Sequence, residues 1–406
     1  MKKSVNVILT LIPFALIAVF TAVPVVMTVY GSFFDINAEF VGFDNYAALL
    51  LSGASITAAA KAFLAAAIGF FADTLYVFCA VLGIGGIKNK WIRMLMLFAV
   101  GTGFISLSAP LSALYVILII FLFPQKTGAR HALRAALAFT ALRLIMCMRV
   151  MDTSFAVNVF GVGMLGTGAL SALKIIPAAA VGLLGGKALL YIKDRAYTEE
   201  GIGLINYLGN ICALLFAAAA VIGVVSALKA VGFADADNAF GDLALYSVTA
   251  ICITAAILAV TPFLVSALDK RAVFMIVCAA LALNSVISAY ITVIIGTAYP
   301  LIRMLMMLTE YMMIIALTLS VFARGKTMKA ILPALAAVLM PLFSGTVSFA
   351  LSLQSSSAED FSGYIYSMSA ANSAKTVIGL LCFVLICAGI AAATVLRCDA
   401  YRDKTA

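Results

Sequence analysis

The chain has 406 residues, 65% of them hydrophobic and only 11% charged, with a formal net charge of +9. Soluble domains carry roughly 45–50% apolar residues, so this composition excludes a soluble globular protein. Nor does the positive charge imply a nucleic-acid partner, because the basic residues sit in short loops between apolar runs, where the positive-inside bias places them.

An all-α, polytopic integral membrane protein is therefore expected. Spans must be helices, since backbone polar groups in lipid have to be satisfied within the segment. The short alternating segments of a closed barrel are absent.

The first apolar run extends from Val5 to Gly31 and contains Pro13 and Pro24. It is long enough to cross a bilayer, and Lys2 and Lys3 put its start in the cytoplasm. Its length and the spans that follow argue against a signal peptide. Residues 32–55 then form an external segment carrying Asp35, Glu39 and Asp44.

A second span, Ile56 to Ile84, carries Lys61 and Asp73 and ends inside at Lys88, Lys90 and Arg93. Met94 to Ser106 and Leu111 to Phe123 read as a short hairpin turning at Ala109-Pro110, returning to Lys126, Arg130, His131 and Arg134. Ala135 to Met151 is apolar but holds Arg143 and Arg149. Counted as a span, it would reverse every later segment, so it is read as a helix on the cytoplasmic surface.

Phe155 to Leu173 and Ile175 to Ile192 form the next pair of spans. Gly161, Gly163, Gly166 and Gly168 give the first a small face suited to close packing. Gly161 to Gly166 fits the dinucleotide pattern by letter, but no strand precedes it. Gly182 to Lys187 has the wrong spacing for a phosphate loop.

Leu204 to Val231 leads out to Asp235, Asp237 and Asp242, and Leu243 to Leu268 returns to Asp269, Lys270 and Arg271. Val273 to Tyr299 goes out and Leu301 to Phe322 comes back to Arg324, Lys326 and Lys329. Ile331 to Leu353 goes out, and Thr376 to Leu396 brings the chain inside to its tail, 397–406. The reading gives about twelve spans in one transmembrane domain, 1–406, with both termini cytoplasmic. Residues 56–192 are a helical bundle with inserted helices, and 193–396 hold the remaining spans.

The eight cysteines include no Cys-x-x-Cys pair and read as small buried apolar residues. With His131 the only histidine, no metal site, cofactor or catalytic residue is expected. Methionines at 304, 306, 307, 312 and 313 read as packing.

Asp73, deep in its span, carries an intramembrane cost of about 2.5–3.5 kcal/mol on insertion scales, which makes function its default reading. Arg303 and Glu310 lie seven residues apart, on one helix face and about 10 Å apart along the axis. Asn284, Ser285, Ser288 and Tyr290 add an amide and hydroxyls that can bind a polar solute or hold helices together. Asp73, Asn284, Tyr290, Arg303 and Glu310 are thus the candidate pathway residues.

Pro24, Ser32, Phe33 and Asp35, followed by Val41, Gly42, Phe43, Asn45 and Tyr46, resemble the end of the first span and the external motif of a known family. That family is the permease subunits of binding-protein-dependent, ABC-type sugar importers. Gly203 to Leu208 is similar to its Gly-Leu-Ile-Asn motif. Gly345-Thr346 and Gly363 to Tyr366, before a last span ending in basic residues, are similar to its final external loop and helix.

The resemblance implies solute import, of carbohydrate by class, across a bacterial-type inner membrane. It implies a separate ATPase subunit, a second permease and an extracellular solute-binding protein as partners, besides membrane lipid. The nearest counterpart of the family's ATPase-coupling loop is Arg324, Gly325, Lys326 and Pro333. It lacks the acidic residues of the Glu-Ala-Ala signature, and the family commonly has about six spans.

Two further readings stay open. An ion-coupled secondary transporter would make natural use of Asp73 and Glu310. A non-transporting membrane protein derived from a permease is the other. An intramembrane enzyme is not supported, since no nucleophile–base pair appears.

Overall fold

The computed structural model describes residues 2–34, 39–51, 73–87, 110–122, 129–150, 164–194, 256–295 and 300–322, with 70–71, 89, 91–93, 95–96 and 253–254. Among the described residues the structure is mostly helical and contains no strand; Phe34 and Phe40 form an isolated antiparallel bridge.

In chain order the helices are α1 (Lys2–Ile17), α2 (Val23–Gly31), α3 (Asp44–Leu51), α4 (Asp73–Gly85), α5 (Pro110–Leu122), α6 (Ala129–Ile145), α7 (Met164–Asp194), α8 (Ala256–Ala267), α9 (Arg271–Ile295) and α10 (Pro300–Phe322). A π turn over Ala18–Ala22 joins α1 to α2, and a 3-10 turn over Cys147–Val150 follows α6. Three helical stretches among the described residues are long and apolar enough to cross a membrane: Ile8–Gly31, Gly168–Asp194 and Leu305–Phe322.

The chain separates into two compact units. One comprises residues 1–72, 137–196 and 259–327, and the other 73–136, 197–258 and 328–406. Helix α6 starts in the second unit and ends in the first.

The first unit is built around α7 and α9. Gly182 lies against Ala282 and Cys278, Gly186 against Met275 and Cys278, and Asp194 bonds Arg271 at 3.3 Å. These contacts run in opposite order along the two helices, so α7 and α9 are antiparallel. The glycines let the backbones approach: a Cβ on Gly182 would stand 2.8 Å from the Ala282 Cβ and 3.0 Å from the Cys278 carbonyl oxygen.

Helix α10 is antiparallel to α9. Ile287 packs with Met306 near one end. At the other end, Lys193 at the close of α7 donates to Ser320 of α10 at 2.8 Å and pairs with Asp269, just before α9, at 3.5 Å. The Lys193 ammonium also lies 5.7 Å from the centre of the Phe274 ring. The first span packs beside α9 and α10: Asn284 bonds the Phe20 carbonyl, and Phe20 and Val25 pack against the Ile287–Met306 cluster.

Sequence reading divides 155–192 into two spans at Lys174. The structure corrects this: Met164–Asp194 is one helix of 31 residues. Pro177 lies inside it, removing one backbone bond, that to Leu173. Lys174 does not mark a turn; it is buried, and its ammonium lies 3.5 Å from the Met148 carbonyl oxygen.

In the second unit, Pro110 opens α5, a position where the missing N–H costs nothing. Val116 to Ile120 are fully buried. The Tyr115 hydroxyl donates to the Ala135 carbonyl at 2.9 Å, joining α5 to the first part of α6. Beyond α4, the Asn89 side chain accepts from the Trp91 N–H at 2.9 Å, and the buried Arg93 donates through Nε to the Ile87 carbonyl at 3.0 Å.

Candidate functional site

The first span is not a plain α-helix. Over Ala18–Ala22 it widens by one residue, and the Val23 N–H reaches back five residues to the Ala18 carbonyl. Pro24 supplies a local reason. In an α-helix the Phe20 carbonyl would accept from residue 24, which has no N–H. A distant side chain takes up that carbonyl instead: Asn284 Nδ2 donates to Phe20 O at 3.1 Å and to Thr21 Oγ1 at 3.2 Å. Asn284 is fully buried, Thr21 nearly so, and Asn284 Oδ1 accepts no hydrogen bond. Short π turns inside α-helices are frequent at functional sites.

Glu310 lies at the same height. Asn284 is three residues before Ile287, and Glu310 is four residues after Met306. On antiparallel helices those steps lead in the same direction from the Ile287–Met306 contact. Glu310 is buried, with its side chain 4% exposed, and forms an ion pair with Arg149 at 2.8 Å. Arg149 reaches it from the 3-10 turn after α6 and is half exposed. A charged pair and an amide-bridged helix break therefore share one level of the first unit, well inside the ends of α9 and α10.

Of the residues proposed from sequence, the structure brings Asn284 and Glu310 to one level. Tyr290 lies on α9 about 9 Å further along the axis, and Arg303 lies on α10 about 10 Å before Glu310. Asp73 begins α4 in the other unit and is half buried. Arg324, Gly325, Lys326 and Pro333 lie outside the described residues, as does Lys61.

Two participants are not singled out by sequence reading. Arg149 is 161 positions from its partner, and its charge alone suggests a surface helix. Thr21 is one hydroxyl in an apolar run; Pro24, three residues on, is the one local sign that the backbone there needs an outside donor.

The Ser32–Tyr46 motif forms a clamp. Asn45 Nδ2 donates to the Ser32 carbonyl at 2.9 Å and to the Phe34 carbonyl at 3.1 Å, and the Tyr46 hydroxyl bonds the Ser32 hydroxyl. The Phe33 ring meets Phe43 edge-on at 5.5 Å and Tyr46 at 5.7 Å. Gly42 takes φ +60°, which only glycine adopts at no steric cost. The clamp fixes where the chain leaves α2 and enters α3.

Among the described residues, no group of three or more His, Cys, Asp or Glu side chains is placed to hold a metal ion. No family model, curated protein or solved structure matches the chain.

Proposed function

We propose that the chain is a divergent permease subunit of an ABC-type, binding-protein-dependent importer, with carbohydrate as the solute class. The observation that carries this reading is the clamp. Ser32, Phe33, Gly42, Phe43, Asn45 and Tyr46, which carry the resemblance, are the residues that hold the external loop. The motif thus has a physical job here, which supports reading it as a unit. The protein supplies the pathway, a separate ATPase subunit supplies the energy, and a solute-binding protein delivers from outside.

Affinity purification from native membranes in mild detergent tests this. An ATPase chain and a second permease should co-purify. A chain recovered alone, with no ATP hydrolysis in the preparation, sinks the reading.

A second reading, an ion-coupled secondary transporter in the same multi-pass setting, is favoured by the buried Glu310–Arg149 pair beside a broken helix. In proteoliposomes, Glu310→Gln would then abolish uptake driven by a proton or sodium gradient. Unchanged gradient-driven uptake in that variant removes this alternative.

The membrane topology belongs to the same proposal, with about twelve spans and both termini in the cytoplasm. Its support is that Lys193, Asp194, Asp269, Arg271 and Ser320, which charge counting puts at the cytoplasmic side, meet at one end of the first unit.

A further inference from the structure

We propose that the π turn of the first span and Asn284 form a binding site for one small monovalent cation, Na+ by preference. The three groups are the Phe20 carbonyl, the Thr21 hydroxyl and the Asn284 side-chain amide, all oxygen donors and all uncharged. Uncharged oxygens suit a monovalent ion; divalent ions generally draw on carboxylates to offset their charge. A broken membrane helix whose freed carbonyls face a neighbouring helix is also where intramembrane Na+ is commonly held.

Asn284 Oδ1 is buried and accepts no hydrogen bond, while Nδ2 meets Phe20 O and Thr21 Oγ1, so the ion site requires the amide to rotate and place Nδ2 where Oδ1 now stands. A fully buried amide that leaves its acceptor unused carries a penalty of about 1–3 kcal/mol. Half a turn about the Cγ bond exchanges Oδ1 with Nδ2. The oxygen then stands where the nitrogen stands now, at the positions 3.1 Å from Phe20 O and 3.2 Å from Thr21 Oγ1. Oxygens at those two spacings repel one another unless a cation sits among them. Bound to Na+, the three oxygens form part of a coordination shell, and the short edges of 3.1 and 3.2 Å favour the smaller Na+ over K+. The amide therefore has two states. With no ion, Nδ2 bridges the two oxygens, and with an ion, Oδ1 joins them as a ligand.

The neighbouring Glu310–Arg149 pair carries no net charge and does not supply a counter-ion. The site should accordingly be weak, filling at tens of millimolar Na+ or above and exchanging rapidly. The inference does not depend on either transport reading, because it concerns binding by the chain alone.

The test is thermal unfolding of the purified full-length protein in detergent, in NaCl, KCl or choline chloride at equal ionic strength. NaCl should raise the midpoint by several degrees over choline chloride, saturably, and KCl should not. Thr21→Val keeps the side-chain shape but removes one ligand, and should raise the half-saturating Na+ concentration at least tenfold. Thr21→Ser should restore it. Equal midpoints in NaCl and choline chloride overturn the proposal, as does a Thr21→Val response equal to that of the unaltered chain. A K+ effect equal to that of Na+ overturns the assignment to a small ion. If Thr21→Val does not fold, the three-salt comparison on the unaltered chain decides by itself.

Discussion

Truncating Asn284 to alanine removes the two hydrogen bonds that span from α9 to the first helix, and leaves the Phe20 carbonyl and the buried Thr21 hydroxyl without that donor. A group orphaned in this way costs about 1–3 kcal/mol, so Asn284→Ala should lower the thermal midpoint in detergent by several degrees. The Glu310–Arg149 pair should respond asymmetrically, because its partners differ in burial. Arg149→Ala strands a carboxylate whose side chain is 4% exposed, and breaking a buried pair from one side costs about 3–5 kcal/mol. Glu310→Gln leaves behind an arginine that is half exposed and long enough to snorkel, so its effect should be well under half as large. Denaturation midpoints of the two variants check the order; equal losses would mean that Arg149 is as confined as its partner. Sequence reading finds Glu310 and Asn284 because a charge or amide inside an apolar run is conspicuous. It does not find Arg149, because which charge meets which across 161 positions is settled by packing and leaves no local trace.

Among elements, α7 teaches most about what a sequence shows. Its charged Lys174 and its Pro177 look like a turn between two spans, yet the helix continues, and its later part is held by close contacts of Gly182, Gly185 and Gly186. Gly185 is one of these: an added Cβ would stand 3.0 Å from the Ala141 carbonyl oxygen and would overlap the Ile145 side chain. Gly185→Ala should destabilise the first unit by about 1–3 kcal/mol through overpacking, read as a lowered unfolding midpoint. Periodicity and length place other elements well. The apolar runs from Leu111 to Phe123 and from Leu301 to Phe322 coincide with α5 and α10, and Val273 to Tyr299 overlaps α9 almost completely. Those runs are strongly apolar and bounded by proline or charge. The break over Ala18–Ala22 is invisible to the same reasoning, since a π turn changes the count of residues and not their polarity.

At the scale of the whole molecule, two changes to the sequence reading compensate. Met164–Asp194 is one helix where two spans were expected, which would remove a membrane crossing from the count. A crossing by α6 and its 3-10 turn, 129–150, would restore it; 22 residues at 1.5 Å each extend about 30 Å. The close approach of Gly185 to Ala141 and Ile145 packs α6 against α7. With α6 crossing, the orientation of every later segment would be the one expected from charge alone. In a background with the eight cysteines replaced, Asp152→Cys should react with an impermeant maleimide from outside intact cells, and Lys270→Cys only after permeabilisation. Labelling of Asp152→Cys from the inside alone returns α6 to the surface.

The π turn has a consequence for how the chain tolerates change in length. A π turn is equivalent to an α-helix that has gained one residue. Deleting one residue elsewhere in α1 or α2 turns everything beyond it by about 100°, swinging an inward face outward. Deleting one residue within Ala18–Ala22 does the opposite: it keeps the faces of Lys2–Ile17 and Val23–Gly31 aligned, with Pro24 still costing one backbone bond. The weakest-looking stretch of the first span is thus the place where the chain can lose a residue and still assemble, giving up the Asn284 bridge and keeping the bundle.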